Sequence, residues 1–330
     1  MSIMVRRPPL LQTDWFIMQD RADQPASVHD TATAPGDLHN LHEFVAKARQ
    51  NLNQNDWDYI VGGVESETTL RRNRMALDTI AFRPRVLRDV SKVDASVTQF
   101  GRKLRLPVVF APVGSLESFH TGGAESVVRG AEEFGCAHML SSVCEPGLEE
   151  LAKVAPNALR LYQLYVRGDA AWVDDHVERA IASGYSAFAL TVDTAHYSRR
   201  ERDIAKRFVT AGRRRVQNRA AQASLDWRTV ERIKKKFKIP LAIKGIATAE
   251  DAALAIEHGV DWIYVSNHGG RSGVLRLLEL LEDEVQRCLG LLGAASFADL
   301  DRSYLHPAAA VNLPHVLSAF PLLKIDDYRY

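Results

Sequence analysis

Hydrophobic and polar positions along this chain follow two periods in turn, and the switch between them recurs. Short apolar runs of strand length occupy residues 107–111, 138–142, 160–166, 187–193, 240–244 and 261–267. Between most of them lie segments of helical composition and 3.6-residue period, at 123–134, 147–153, 170–183 and 248–258. Strand–helix alternation at this spacing predicts an α/β fold with a parallel sheet. Six units in succession favour a TIM (β/α)8-type barrel.

The flanks depart from that rhythm. A helix is expected from Leu38 onward, with Leu41, Phe44, Val45 and Ala48 on one face, and a second over 56–61 that ends at Gly62-Gly63, a natural C-cap pair. Residues 67–73 and 82–88 read as an elaborated lid ahead of the barrel. The stretch 194–225, which carries Arg199, Arg200, Arg202, Lys206 and Arg207, is long enough to serve as an active-site lid. After Arg271 the barrel pattern stops early. Two more strand–helix units, about 60 residues at barrel averages, are expected there. Instead Ser272-Gly273 leads straight into an amphipathic helix over 274–292, with Leu277, Leu281, Val285, Cys288 and Leu292 on one face. One more helical turn is expected within 296–305. The predicted fold is therefore an incomplete barrel of six recognisable strands over residues 39–305. A flexible extension (1–38) precedes it and a tail without clear pattern (306–330) follows.

Composition narrows the partners. A formal net charge of +1 gives no global attraction to nucleic acid, and no aromatic platform interleaves the basic residues of 194–225, so no nucleic-acid partner is expected. The run Lys234-Lys-Lys236 reads as the solvated end of a helix. No apolar run reaches the ~18 residues of a spanning helix, so no transmembrane segment is expected. The three cysteines, Cys136, Cys144 and Cys288, are odd in number and lack metal-ligand spacing. A reducing, cytoplasmic compartment and no bound metal are expected.

The densest candidate chemistry is Asp261-Trp-Ile-Tyr-Val-Ser-Asn-His-Gly-Gly-Arg271. An apolar strand breaks off into polar residues, and in α/β barrels ligands bind at the carboxyl ends of strands. His268 can take a proton near neutral pH, and Arg271 can clamp a carboxylate with two parallel hydrogen bonds.

Together with Tyr59 before Gly62-Gly63, Arg83-Pro-Arg85, Ala111-Pro112, Ser141-Ser142, Gln163-Leu-Tyr165, Thr191-Val-Asp193, Arg199-Arg200-Glu201 and Lys244-Gly245, this motif resembles the FMN-dependent α-hydroxy-acid oxidase/dehydrogenase family. The resemblance covers roughly residues 41–305 and implies oxidation of a small L-2-hydroxy acid to the 2-oxo acid, with FMN as cofactor. It implies His268 as catalytic base and Asp193 as the carboxylate that stabilises its imidazolium. Arg200 and Arg271 would hold the substrate carboxylate, and Tyr59 and Tyr165 would hydrogen-bond the substrate. Lys244 would lie beside the flavin ring. Ser141, Gln163, Thr191 and Ser266 would bind the flavin edge, and the backbone of Pro112, Val113 and Gly114 would approach the ring. A homo-oligomer is expected. The electron acceptor, whether oxygen, a quinone or another, stays open.

Two departures from the family pattern stand out. Val143 replaces a tryptophan common after Ser141-Ser142. The family's strands seven and eight, which bind the ribityl chain and flavin phosphate, have no counterpart. Charge-assisted hydrogen bonds are worth ~1.5–3 kcal/mol each, so losing two or three removes about 3–9 kcal/mol of flavin binding. A catalytically silent relative that acts as an interaction or structural protein is the alternative reading. An FMN-dependent isomerase is disfavoured, because paired Arg200 and Arg271 suit a carboxylate rather than a diphosphate.

Overall fold

The computed structural model describes residues 38–196, 199–209, 220–268 and 275–309, with the backbone alone at 275–279. The two expected N-terminal helices form as α1 (Leu41–Asn51) and α2 (Gln54–Val61). Each is started by an asparagine that accepts from a backbone amide of the first turn: Asn40 from Glu43 at 3.1 Å, Asn53 from Asp56 at 3.0 Å. Trp57 and Val61 pack against Val45, Ala48 and Leu52 as a small satellite core. Gly62 ends α2 with φ −78°, so no left-handed turn requires it. A Cβ there would lie 2.5 Å from the Asp58 carbonyl oxygen, and that close approach does.

Helix α3 (Thr68–Asp78) and strand β1 (Ile80–Phe82) follow. A hairpin comes next that periodicity did not reveal, β2 (Val97–Gln99) and β3 (Arg102–Leu104), turned through Phe100 and Gly101, both at positive φ. Three-residue strands are too short to show an alternation.

The six expected strands then form one parallel sheet, and their order in it is their order in the chain. They are β4 (Val109–Phe110), β5 (Ala137–Ser141), β6 (Leu159–Leu164), β7 (Ala187–Thr191), β8 (Leu241–Ile246) and β9 (Trp262–Val265). Helices α4 (Gly123–Phe134), α5 (Leu148–Val154), α6 (Ala170–Ala182), α7 (Glu201–Ala205), α8 (Ala220–Ala223), α9 (Trp227–Lys236) and α10 (Ala249–Glu257) lie between them. Sequential parallel pairing with intervening helices is the winding of a (β/α) barrel, with six strands among the described residues. The outward residues Leu140, Leu164, Phe188, Leu190 and Ile243 join Val128, Leu151, Val177 and Ile233 of the helices in the main core. The inward residues Ala137, Met139, Leu161, Ala189 and Ala242 meet Val97, Phe100 and Leu104 of the hairpin, which plugs the barrel floor. Lys234 and Lys236 lie in the last turn of α9, as their charge suggested, paired with Asp261 and Asp174.

Strands β5, β6 and β7 are buried throughout, whereas β9 is half-buried and Val265 is 78% exposed. Among the described residues β8 is the one neighbour of β9. Helix α11 (Leu275–Leu292) packs Leu281, Val285 and Leu289 against Leu106, Ala131 and Phe134, beside α4. Arg105 ties it down through Glu282, with its guanidinium 4.2 Å over the Phe134 ring. Leu289 and Leu292 are buried, and Leu281, Val285 and Cys288 are half-buried, so the expected face is the one that packs, with Leu289 added to it. Leu277 is outside the described side chains. The expected helical turn in 296–305 resolves into two short turns, and strand β10 (Leu305–Pro307) pairs antiparallel with β1 across the anticipated 305/306 boundary.

Leu289 is 3% exposed where α11 meets α4. Leu289→Ala is expected to lower unfolding free energy by about 2–5 kcal/mol, read from the shift in denaturation midpoint.

Candidate functional site

Side chains point alternately in and out along a strand, so the last inward position of each strand sits at the barrel mouth. Those positions carry Ser141, Gln163, Thr191 and Lys244, with Ser266 one residue past β9. Two residues farther on, on the same side, stand Val143, Tyr165, Asp193 and His268. Tyr165, Asp193 and His268 therefore lie just beyond strands β6, β7 and β9 rather than within them.

These outer residues converge on the His268 ring. Its Nδ1 is 3.0 Å from Asp193 Oδ2. Its Nε2 is 3.1 Å from Lys244 Nζ and 3.2 Å from the Tyr165 hydroxyl. With Nδ1–H donating to Asp193, the neutral ring carries its lone pair on Nε2, facing two donors. Ser266 Oγ accepts from Lys244 Nζ at 3.1 Å and from the His268 amide at 3.2 Å. It thereby pins a turn in which His268 has φ +63°, a left-handed conformation that non-glycine residues adopt rarely and mostly at functional sites.

The carboxylate partner is admitted by a glycine. Gly245 has φ +112°, and a Cβ there would lie 2.6 Å from both Cβ and Cγ of Asp193. Burial pulls the Lys244 ammonium below its usual range, and the Asp193 charge opposes that shift in part.

Gln163 Nε2 donates to Thr191 Oγ1 at 2.7 Å. Its Oε1 is buried without a hydrogen-bond partner, which in a native protein marks a site for something else. Gly114 lies against Val143, whose Cγ2 would be 2.7 Å from an added Cβ, and Val143 donates its amide to Ser141 Oγ at 3.4 Å. Pro112, Val113 and Gly114 follow β4 at the same mouth. An unsatisfied amide oxygen, a buried cation, two hydroxyls and a bare glycine suit a planar, polar-edged heteroaromatic ring. The residues fit the flavin end of FMN.

Arg200 and Tyr59 form a second group. Arg200 donates to the Tyr59 and Gly62 carbonyl oxygens, the latter at 2.9 Å, and pairs with Asp203 at 3.0 Å. Its guanidinium lies 4.6 Å over the Tyr59 ring, which also stacks on Phe119. The guanidinium expected to meet a substrate carboxylate is thus engaged with protein acceptors. Arg271 falls outside the described residues. Sequence reasoning missed Asn73 of α3, whose amide exchanges two 2.8 Å hydrogen bonds with Asn267 beside His268. No periodicity signals an amide pair between positions so far apart in the chain.

A buried ammonium whose folded pKa is lowered destabilises the folded state at neutral pH. That penalty shrinks as pH rises from the lowered value towards the ordinary ~10.4. Lys244→Met is expected to raise the melting temperature at pH 7 by at least about 2–4 °C, and by less at pH 10, in parallel thermal unfolding curves.

A model of the FMN-dependent dehydrogenase family matches residues 48–272. Glycolate oxidase 5 of Oryza sativa subsp. japonica is 37% identical over 281 residues, covering 78% of this chain and 76% of its own length. Glycolate oxidase of Spinacia oleracea is 36% identical over 257 residues, covering 71% and 69%. The crystal structure of mandelate oxidase with 3,3-difluoro-2-hydroxy-3-phenylpropionic acid superposes with a TM-score of 0.73 at 27% identity, over 82% of this chain and 98% of that one. Family match, relatives and fold agree with one another, and the chain belongs to the FMN-dependent dehydrogenase family, enzymes of the flavin-dependent hydroxy-acid oxidase and dehydrogenase type.

Proposed function

We propose that this protein oxidises a small L-2-hydroxy acid to the 2-oxo acid at the mouth formed by β4 to β9. The observation that carries the reading is His268, held by Asp193 at one ring nitrogen and presenting the other to Lys244 and Tyr165. When bound, FMN supplies the acceptor for the two electrons that leave the substrate. Ser141, Gln163, Thr191, Lys244 and Ser266, with the backbone of Pro112, Val113 and Gly114, would hold its ring. His268 takes a proton from the substrate at Nε2, and Asp193 faces the resulting imidazolium. Tyr165 donates to the substrate oxygen in place of His268 Nε2. Arg200, which grips the end of α2 beside Tyr59, would hold the substrate carboxylate together with Arg271. Three cysteines with no disulfide among them support a reducing, cytoplasmic setting.

Flavin binding in this reading is weak. After β9 the chain has nine residues, 266–274, before α11, which packs beside α4, so among the described residues none takes the place of the family's strand-seven and strand-eight phosphate contacts.

His268→Ala is expected to lower turnover on any active 2-hydroxy acid at least ~10²-fold with little change in flavin affinity, in steady-state kinetics alongside flavin titration. Near-parental turnover would remove His268 from the role of base. In calorimetric titration, FMN is expected to bind at micromolar affinity or weaker, within about tenfold of riboflavin. A preference for FMN of about a thousandfold would instead place phosphate donors elsewhere in the chain.

A further inference from the structure

Past the ends of β6 and β7 the ladder between these two strands stops, although the Val192 amide still reaches the Lys244 carbonyl of β8 at 2.9 Å, and the residues that hold His268 stand there. Their backbone needs another anchor. Two successive amides, those of Tyr165 and Val166, follow β6. The first donates to Ser142 Oγ at 3.0 Å and the second to Gln222 Oε1 at 2.7 Å. The other end of the Gln222 amide donates to the Thr191 carbonyl at 2.7 Å. Gln222 lies on α8 and is 7% exposed, and both of its hydrogen bonds are buried.

The two backbone groups it joins belong to opposite arms of the His268 clamp. Val166 adjoins Tyr165, whose hydroxyl meets Nε2. Thr191 lies two residues before Asp193, which meets Nδ1. Thr191 Oγ1 also receives Gln163 Nε2. We infer that Gln222 is a positioning residue: its amide spans the ends of β6 and β7 and sets the separation of Tyr165 and Asp193, and through it the orientation of the His268 ring. An amide suits this task because it supplies one acceptor and one donor about a side-chain width apart without placing a charge near Asp193. A hydrocarbon would leave a buried N–H and a buried C=O unpaired.

The inference rests on His268 as the working base, so its test has readouts that need neither flavin nor turnover. Gln222→Met keeps the volume and removes both hydrogen bonds. Amide hydrogen exchange followed by NMR is expected to show Val166 exchanging at least tenfold faster, while Leu161 and Gln163 in the ladder keep parental protection. Carbethoxylation of His268 by diethyl pyrocarbonate, followed by mass spectrometry, is expected to change at least threefold, against exposed His306 as an unchanged reference. Where the parent turns over a 2-hydroxy acid, kcat should fall at least tenfold with KM within twofold. Gln222→Glu keeps the acceptor and loses the donor, so Val166 should stay protected while His268 reactivity still changes. It answers the question if the methionine variant does not fold. Parental exchange at Val166 together with parental His268 reactivity in Gln222→Met would overturn the inference, as would unchanged His268 reactivity in Gln222→Glu. A parent without turnover would count against the proposed activity while leaving the exchange and labelling results to judge Gln222.

Discussion

The site depends on the period-two alternation of one parallel sheet. Because every second residue faces inward, small side chains at Ala137, Ala187, Ala189 and Ala242 let the strands curl closely around Met139, Leu159 and Leu161. The same parity, carried to the mouth, produces two polar tiers. Ser141, Gln163, Thr191, Lys244 and Ser266 form the lower tier and Tyr165, Asp193 and His268 the upper. On β8 the register shifts between Lys244 and Ile246, so Ile246 joins the helix-facing core, and the Gly245 backbone makes room for Asp193. A one-residue slip in any strand would turn its polar pair into the helix-facing core, so packing and chemistry select the same register.

Within that frame the electrostatics are arranged by burial. Lys244 is 3% exposed and cannot spread its charge into water. Its ammonium meets Ser266 Oγ and the His268 lone pair, and Asp193 partly offsets the charge. A cation, an imidazole and a carboxylate in sequence give a site with little net charge but a strong local field, the condition under which a preorganised group is most effective. The imidazole is fixed by its hydrogen bonds and by a left-handed backbone that the Ser266 hydroxyl helps to hold.

The fold was largely legible in the pattern of apolar runs. All six barrel strands form where those runs lie, because a buried strand must be apolar along most of its length. Their ends were less legible: the run 160–166 gives a strand that stops at Leu164, since Tyr165 and Val166 turn to side-chain acceptors. The hairpin β2–β3 and the ribbon β1–β10 escaped because three residues carry no period. In the site, Asp193 and His268 were found through the motif they share with a family, and the structure brings them together. The pairing of Arg200 with the end of α2 was not foreseeable, since a guanidinium can donate to backbone carbonyls as well as to a carboxylate and sequence does not say which it will meet. Nor was the amide bridge from α8, which leaves no mark on spacing or charge.

The small ribbon that joins residue 80 to residue 307 has a bearing on how the molecule is assembled. Each barrel unit finds its neighbour within a short length of chain, so the sheet can grow by local steps. The ribbon brings together segments on either side of the whole sheet. Loop closure over such a length is slow relative to local pairing, and contacts of this kind dominate the time a chain takes to reach its native topology. The segment around β1 and the stretch after α11 therefore meet last, once the sheet between them exists. On a ribosome that order is enforced: residue 307 emerges after every strand of the sheet, so this clasp closes on a barrel whose strands are already synthesised.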